Sequence, residues 1–486
     1  MKFSKEQALQ SIDREQEAVC CASDKIWDHP ETAFQEIKST EILCELLEKE
    51  GFSVERNLAG IATAFSGRFG HGKPVVGILG EFDALSGLSQ ESEKAEKISI
   101  VDGAPGHGCG HNLLGAGSVA AAIAVKEYLK QNEKEGTVVF FGCPGEEGGS
   151  GKSFMARDGV FDELDFAITW HPGDQNVVSV GSSLANYQII YRFYGTAAHA
   201  AACPESGRSA LDAVELMNTG VQYLREHVIQ EARIHYAITN TGGFSPNVVQ
   251  PYAEVLYLIR APKNQQVKEI YERVNDIAKG AALMTGTRME MQFVKACSNL
   301  VDNTVLEEVL QKNLEEIERY SYTEEELSFA KKISDTYGGN KVDLQQILGR
   351  YEKSRKKMAE EILAPHLNDV LSDVVVPLMD TEVCMAGSTD VGDVSWVCPT
   401  AQINTVTEAA GTPGHSWQQV SQGKSSVAHK GMLYAGKVMA GAIIDVMENQ
   451  KLIEKAKEEL RKRVGTEGYV PPIPKDIRPM AINPKK

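Results

Sequence analysis

No stretch of the 486 residues approaches the roughly 18 consecutive apolar residues that a membrane-spanning helix needs. The start, Met1-Lys2-Phe3-Ser4-Lys5-Glu6, leads into a polar helix rather than an apolar leader. Positive charge is scarce as well: 50 Lys and Arg stand against 67 Asp and Glu, a formal net charge of -17. That balance argues against a nucleic-acid partner, because phosphate neutralisation needs a basic face. No Cys-x-x-Cys pair occurs, and the nine cysteines are odd in number and scattered. A secreted disulfide framework is thereby excluded, and a reducing cytoplasm without membrane attachment is the expected setting. No internal repeat is visible. What remains is an ordinary globular composition, 42% hydrophobic and 24% charged, in a chain long enough for two or more domains.

Against that background four short segments stand out. Gly106-His107-Gly108-Cys109-Gly110-His111-Asn112 sets a thiol and two imidazoles between glycines, which let side chains converge on one point. Thiolate and imidazole together suit zinc-like metals; a redox cysteine in a flexible loop is the competing reading. The apolar run Val138-Val139-Phe140-Phe141 reads as a buried strand and empties into Gly142-Cys143-Pro144-Gly145-Glu146-Glu147-Gly148-Gly149. Open α/β sheets bind ligands at strand carboxyl ends. Adjacent residues of an extended chain point opposite ways, so one glutamate can face a metal and the other a substrate. Solvated loop glutamates are the plainer alternative. Phe166-Ala167-Ile168-Thr169-Trp170-His171 is a second apolar strand ending in histidine, and Gly411-Thr412-Pro413-Gly414-His415 is a histidine in a Gly/Pro turn. Singly, each histidine reads as a structural residue; together the four segments describe a dinuclear metal centre gathered from distant parts of the chain.

Between these segments the pattern is legible in outline. Two helices are expected over residues 4–50, capped at Ser4 and Ser39, with His29 at a helix end. Strands follow near Ile61–Ala64 and Val75–Leu79, the second running into Glu81-Phe82-Asp83. Asp83 there either tunes a metal ligand by hydrogen bonding to it or caps the turn. Residues 86–104 are polar and read as a surface loop. Strand and helix then alternate to residue 170, which argues for a mostly parallel sheet. From about residue 186 the order becomes β-α-β-β-α-β, the ferredoxin-like arrangement. Residues 304–370 read as charged helices, 385–395 as a loop, 402–406 as a strand, 427–447 as a small-residue helix, and the Pro-rich tail from Gly465 as irregular. The fold class is therefore α/β: a mostly parallel-sheet domain of residues 1–185 plus 300–486, with an α+β domain of residues 186–299 inserted into it.

The set Cys109-Gly110-His111, Glu146-Glu147, His171, Gly195 through His199 and His415 resembles the aminoacylase/carboxypeptidase family of co-catalytic metallopeptidases, specifically its amidohydrolase subfamily, over nearly the whole chain. The resemblance implies a di-metal hydrolase domain and a dimerisation, or lid, domain. It implies two divalent ions, Mn²⁺ or Zn²⁺, held by Cys109, His111, Glu147, His171 and His415, with Cys109 as the bridge. Glu146 takes the general-base role, and His199 reaches a partner subunit's site to stabilise the oxyanion. Asn247 and Arg260 match positions that hold a substrate carboxylate. The implied substrate is a small N-acyl amino acid or dipeptide, with aminobenzoyl-glutamate the one the wording of the motifs favours; Arg208 and Lys424 are the candidate cations for a second carboxylate. The partner is a second copy or a related subunit. Competing readings are a dipeptidase or deacylase of other specificity, a non-catalytic subunit of an active partner, and a thiol-redox protein using Cys109 and Cys143. Two departures bear on metal preference: Asn112 stands where the subfamily carries Asp, and Glu81-Phe82-Asp83 replaces Asp-Met-Asp. The helical segment at about 310–370 is longer than in simple members and has no assigned role.

Overall fold

The computed structural model describes residues 3–339, 343–466 and 468–481. Helix α1, Lys5–Asp28, begins at Ser4 in a capping box: the Ser4 side chain accepts from the Gln7 N–H, and the Gln7 side chain accepts from the Ser4 N–H. His29 is its C-cap, as expected. Helix α2, Ile37–Lys49, corrects one expectation, because Ser39 lies inside its first turn. Its free N–H groups at Lys38 and Ser39 donate instead to the Glu31 carboxylate, at 3.1 and 3.0 Å. A carboxylate reaching back to a helix start satisfies both the donors and the dipole.

After strand β1, Ser53–Arg56, the strand expected at Ile61–Ala64 is a turn. Asn57 and Ala59 adopt left-handed backbone (φ 63° and 52°), and the Ile61 N–H returns to the Leu58 carbonyl. The extended segment, β2, comes later, at Phe65–His71. Strand β3 (Val75–Gly80), helix α3 (His111–Gln131), strand β4 (Gly136–Gly142), helix α4 (Gly151–Arg157) and strand β5 (Phe166–Gly173) then alternate as the sequence suggested. Short strands β6 (Val177–Val178) and β7 (Gly181–Ser183) follow.

Strand β8 (Ala185–Tyr194), helix α5 (Ala210–Leu224), strands β9 (Arg233–Asn240) and β10 (Tyr252–Ala261), helix α6 (Asn264–Thr285) and strand β11 (Arg288–Cys297) make a separate four-stranded antiparallel sheet of order β11-β8-β10-β9. This is the ferredoxin-like order, with β9 and β11 as edges. The charged segment beyond it is helical: α7 (Thr304–Glu316), α8 (Glu324–Asp335), α9 (Leu344–Leu348) and α10 (Lys353–Leu363). Strand β12, Val383–Met385, pairs with β7. The expected loop at 385–395 is helical from Val391, as α11 (Val391–Val397), because Val391 and Val394 turn inward together. Strand β13 (Thr400–Val406), helix α12 (Trp417–Gln422) and helix α13 (Ser426–Met447) come next. Helix α14, Gln450–Val464, has no counterpart in the sequence reading; only Ile453, Ala456 and Leu460 of its strongly charged surface are buried apolar residues. The tail from Gly465 carries no helix or strand among its described residues. No helix of the described residues is long and apolar enough to cross a membrane.

The large sheet has the order β1-β2-β4-β3-β5-β13-β6. Its centre, β4-β3-β5-β13, is parallel, and its margins are antiparallel. Helix α3 crosses one face against α1 and α13 and is buried along nearly its whole length. Its small residues are required: a Cβ on Gly117 would lie 2.8 Å from the Trp170 ring and 3.1 Å from Met432. A second core starts at Val139 and Phe141 on the other face and continues through Phe154 and Met155 to Tyr187, Ile189 and Tyr257 of the four-stranded sheet. The parallel strands β3, β4 and β5 thus deliver three carboxyl ends side by side, beneath the start of α3.

Candidate metal centre and active site

The carboxyl end of β3 supplies Glu81 and Asp83, that of β4 leads to Glu146 and Glu147, β5 carries His171, and the start of α3 carries His111. The loop before α3 is pinned. Gly110 is left-handed (φ +70°), and a side chain there would strike Pro172. His415 is held at its edge, its N–H donating to the Gly108 carbonyl at 3.1 Å and its own backbone left-handed at φ 54°. A non-glycine residue kept in that conformation marks a position the surroundings dictate.

The donors converge. Cys109, His111 and His171 form one group whose ligand atoms lie within 4.8 Å of one another; Cys109, Glu147 and His415 form a second; Glu81, His111 and Glu146 form a third. The Cys109 Sγ is 3.4 Å from His171 Nε2, and His415 Nε2 is 3.3 Å from Glu147 Oε1. The rings are set by their other nitrogens. His111 Nδ1 lies 2.9 Å from Asp83 Oδ1, and His171 Nδ1 donates to the Pro172 carbonyl at 2.7 Å. Both Nε2 atoms are thereby turned inward. Asp83 also accepts the Glu147 N–H at 3.0 Å, so one carboxylate orients two members of the cluster. His111 Nε2 is buried and has no hydrogen-bond partner, its nearest polar neighbour being the acceptor Glu81 Oε2 at 3.2 Å. A buried acceptor facing a carboxylate, grouped with a thiol and imidazoles, fits divalent cations.

The electrostatics are those of a crowded anionic nest. Burial, then the neighbouring Glu81, Glu147 and Asp390 carboxylates, push Glu146 well above the usual carboxyl range. Burial would raise Glu147 too, but the His415 hydrogen bond and the His111 charge outweigh it and bring it to about 2. Burial and His111 lower His171. Behind the nest lies Lys152, wholly buried, with its Nζ 2.6 Å from Glu81 Oε1 and 2.7 Å from Asp390 Oδ1. Sequence reasoning gave no role to Glu81 and did not single out Lys152 or Asp390. The usable signal was Glu81 at a strand's carboxyl end; nothing in Gly151-Lys152-Ser153 marks a buried cation.

The other candidates lie elsewhere. Arg260, opposite Asn186 on β10, donates from Nη1 to the Ser388 hydroxyl at 2.8 Å. His199 and Asn247 are exposed beyond the opposite end of the same sheet, past the Tyr194–Tyr252 pair. The Ala200 N–H donates to the Asn247 carbonyl at 2.9 Å, and His199 bridges Val248. Eight residues of β8 separate the two ends, about 27 Å at ~3.4 Å per residue. His199 Nδ1 accepts from the Ala201 and Ala202 N–H groups at 3.2 and 3.1 Å, which leaves its proton on Nε2. Arg208 belongs to the His199 end through its bridge to Thr196, whereas Lys424 is held 2.9 Å from Asp28 and lies over the Trp27 ring.

Known proteins resemble this chain over most of its length. One of the subunits of the p-aminobenzoyl-glutamate hydrolase of Escherichia coli (strain K12) is 49% identical over 97% of this chain and 98% of its own. The Xaa-Arg dipeptidase of Mus musculus is 26% identical over 96% of this chain and 94% of its own. Among solved structures, the Bacillus subtilis YXEP protein, a dinuclear metal binding peptidase from the M20 family, shares the fold with a TM-score of 0.55 at 16% identity, over 90% of this chain and 99% of that one. The model of peptidase family M20/M25/M40 matches residues 77–472, and the chain belongs to that family.

Proposed function

We propose that this hydrolase cleaves the amide bond of N-acyl amino acids with a free carboxylate, and p-aminobenzoyl-glutamate in particular, to p-aminobenzoate and glutamate. The observation that carries the reading is the pair of three-donor groups sharing Cys109, with the unpartnered His111 Nε2 among them, beside the Glu146 carboxyl. The substrate is the one for which the 49% identical relative is named. The 26% identical dipeptidase keeps a second reading, hydrolysis of a dipeptide, in view.

Cys109, His111, Glu147, His171 and His415 would hold two divalent ions, Zn²⁺ or Mn²⁺. Thiolate favours the first and the surrounding carboxylates suit the second. When bound, such ions supply Lewis-acid polarisation of the amide carbonyl and lower the pKa of water. Glu146 accepts a proton from the attacking water at its carboxylate and returns it to the departing amine. Its raised affinity for protons suits a group that must hold one between the two transfers. His199, protonated on Nε2, donates to the carbonyl oxygen as negative charge develops there. Arg260 grips the substrate carboxylate with the guanidinium donors that Ser388 leaves free, and Asn247 adds an amide. Arg208 serves a glutamate side chain better than Lys424, which Asp28 already engages.

Arg260 and the His199–Asn247 pair lie at opposite ends of one sheet, so one substrate meets both only between two subunits. The partner is a second copy of this chain or a related subunit. Residues 1–185 with 300–486 form the catalytic domain and 186–299 the dimerisation or lid domain. The compartment is the cytoplasm, in keeping with nine unpaired cysteines.

The test is hydrolysis of p-aminobenzoyl-glutamate by the purified chain alone, loaded with Zn²⁺ or Mn²⁺ in parallel, with metal content measured on the same sample. Turnover with about two metals per chain is expected. Two metals without hydrolysis of any N-acyl amino acid or dipeptide would identify a non-catalytic subunit instead, and failure to bind metal would undo the ligand set.

A further inference from the structure

Phe244 is fully exposed, at 104% relative accessibility, the highest of any large apolar residue described. A phenyl ring left wholly in water calls for an explanation that a scattered surface leucine does not. The backbone holds it there. Gly242 and Gly243 precede it at φ +84° and +130°, conformations that residues with side chains avoid. A Cβ on Gly242 would lie 2.3 Å from the Tyr252 carbonyl oxygen, and the Gly242 N–H donates to Asn240 Oδ1 at 2.8 Å. Three residues later comes Asn247, whose carbonyl accepts the Ala200 N–H, while Val248 bridges His199. Phe244, His199 and Asn247 are therefore mounted on one tip, beyond the end of the four-stranded sheet opposite Arg260.

We propose that Phe244 is a substrate-binding residue that enters the active site of a second copy of this chain, where its ring packs on the aromatic acyl group of the substrate. The inference rests on the function proposed above. Arg260, Asn247 and Arg208 are polar and account for the amino-acid half, and Phe244 is the exposed aromatic ring on the same tip as Asn247. The donor cluster is open on one side, where the His415 side chain is 56% exposed, so there is room for a group brought from outside. A second copy is favoured because β9, beside the tip, is an unpaired edge strand with Tyr236 and Ile238 exposed at 43% and 40%, a surface that a like strand can complete about a twofold axis.

The test is steady-state kinetics of Phe244→Ala and Phe244→Leu with p-aminobenzoyl-glutamate and with N-acetyl-glutamate. For Phe244→Ala, kcat/KM falls about tenfold on the aryl substrate, the scale of a lost ring–ring contact, and by less than threefold on the acetyl one. Phe244→Leu falls in between, and neither variant shifts the melting temperature. Differently tagged Phe244→Ala and Glu146→Ala chains, co-expressed and purified as mixed dimers, keep Glu146 in one chain and Phe244 in the other. The intact site there regains wild-type kcat/KM on the aryl substrate. Equal losses on both substrates, or none, overturn the assignment; a loss that the mixed dimer does not repair means that the ring serves its own chain and overturns the second-copy claim. Turnover that survives Glu146→Ala in an unmixed sample overturns the reading of the reaction itself, and so separates that failure from this one.

Discussion

The donor cluster and the His199–Asn247 tip carry residues of one proposed reaction, yet they are built in opposite ways. The cluster is a product of strand ends. Three parallel strands stop together, a pinned glycine loop closes over them, and hydrogen bonds to Asp83 and to the Pro172 carbonyl fix the His111 and His171 rings. The tip has no such surroundings. His199, Phe244 and Asn247 all stand exposed, beyond the far end of a strand span of about 27 Å that starts at Arg260, and local bonds, backbone ones and those of the His199 and Asn240 side chains, organise the tip. A site finished within one chain shows itself by burial and an unpartnered acceptor. On the proposed reading the tip is the part that a second subunit completes, and its groups stand exposed.

The comparison breaks most directly on the two histidine and glutamate roles. Glu146→Ala is expected to lose about 10³-fold in kcat while keeping its metals, and His199→Ala about 10²–10³-fold. Mixed together, the two inactive chains should recover about a quarter of the wild-type rate, since half of randomly assorted dimers are mixed and each holds one whole site. No recovery on mixing, with dimers demonstrated, would return His199 to its own chain and remove the contrast.

Next in size is a change of stability at the buried end. Lys152 is the buried cation between Glu81 and Asp390, and both carboxylates draw its pKa well above that of a free lysine against the effect of burial. Lys152→Met strands two buried carboxylates and should destabilise the fold by about 3–5 kcal/mol in urea titrations. An equivalent truncation at the tip, where the backbone carries the structure, should change the unfolding midpoint hardly at all. Equal sensitivity at both ends would mean that the tip is packed in solution, most simply by a partner already in place.

The difference also explains what could be read in advance. That Cys109, His111, Glu146, Glu147, His171 and His415 come together was legible, for Glu146, Glu147 and His171 from apolar strand runs that end at them, and for Cys109, His111 and His415 from the glycines that flank them. The four-stranded order was legible from alternation alone. Glu31 as the cap of α2 was not, because it acts across a loop, and the turn at Ile61–Ala64 was misread because its apolar residues mimic a strand while Asn57 and Ala59 bend the chain. Lys152 was invisible since a lysine's burial depends on carboxylates at positions 81 and 390. The separation of Asn247 from Arg260 was equally hidden: both lie on or next to β10, and only the strand's length sets them apart.

The smallest expected effect lies where the two sheets are joined. Between β11 and α7 the chain passes Asp302, which accepts the Gly181 N–H at 3.0 Å, and Glu307 faces it from α7. Burial, then the hydrogen bond and charge of Asp302, raise Glu307 from 4.5 to about 10. Its folded pKa thus exceeds its unfolded value. The stability it contributes is full below about pH 4.5 and drains away as the pH rises through 10, because the unfolded chain releases a proton that the folded one retains. Glu307→Gln keeps the shape and a donor toward Asp302 but has no proton to release. At pH 8 it should be more stable than the parent by about 1–2 kcal/mol, with little difference at pH 4.5, in thermal unfolding followed across that range. A variant that loses stability at pH 8 would mean that Glu307 is ionised in the fold. The join between the sheets would then rest on charge, and the closed end of the molecule would extend less far toward the tip than the buried core suggests.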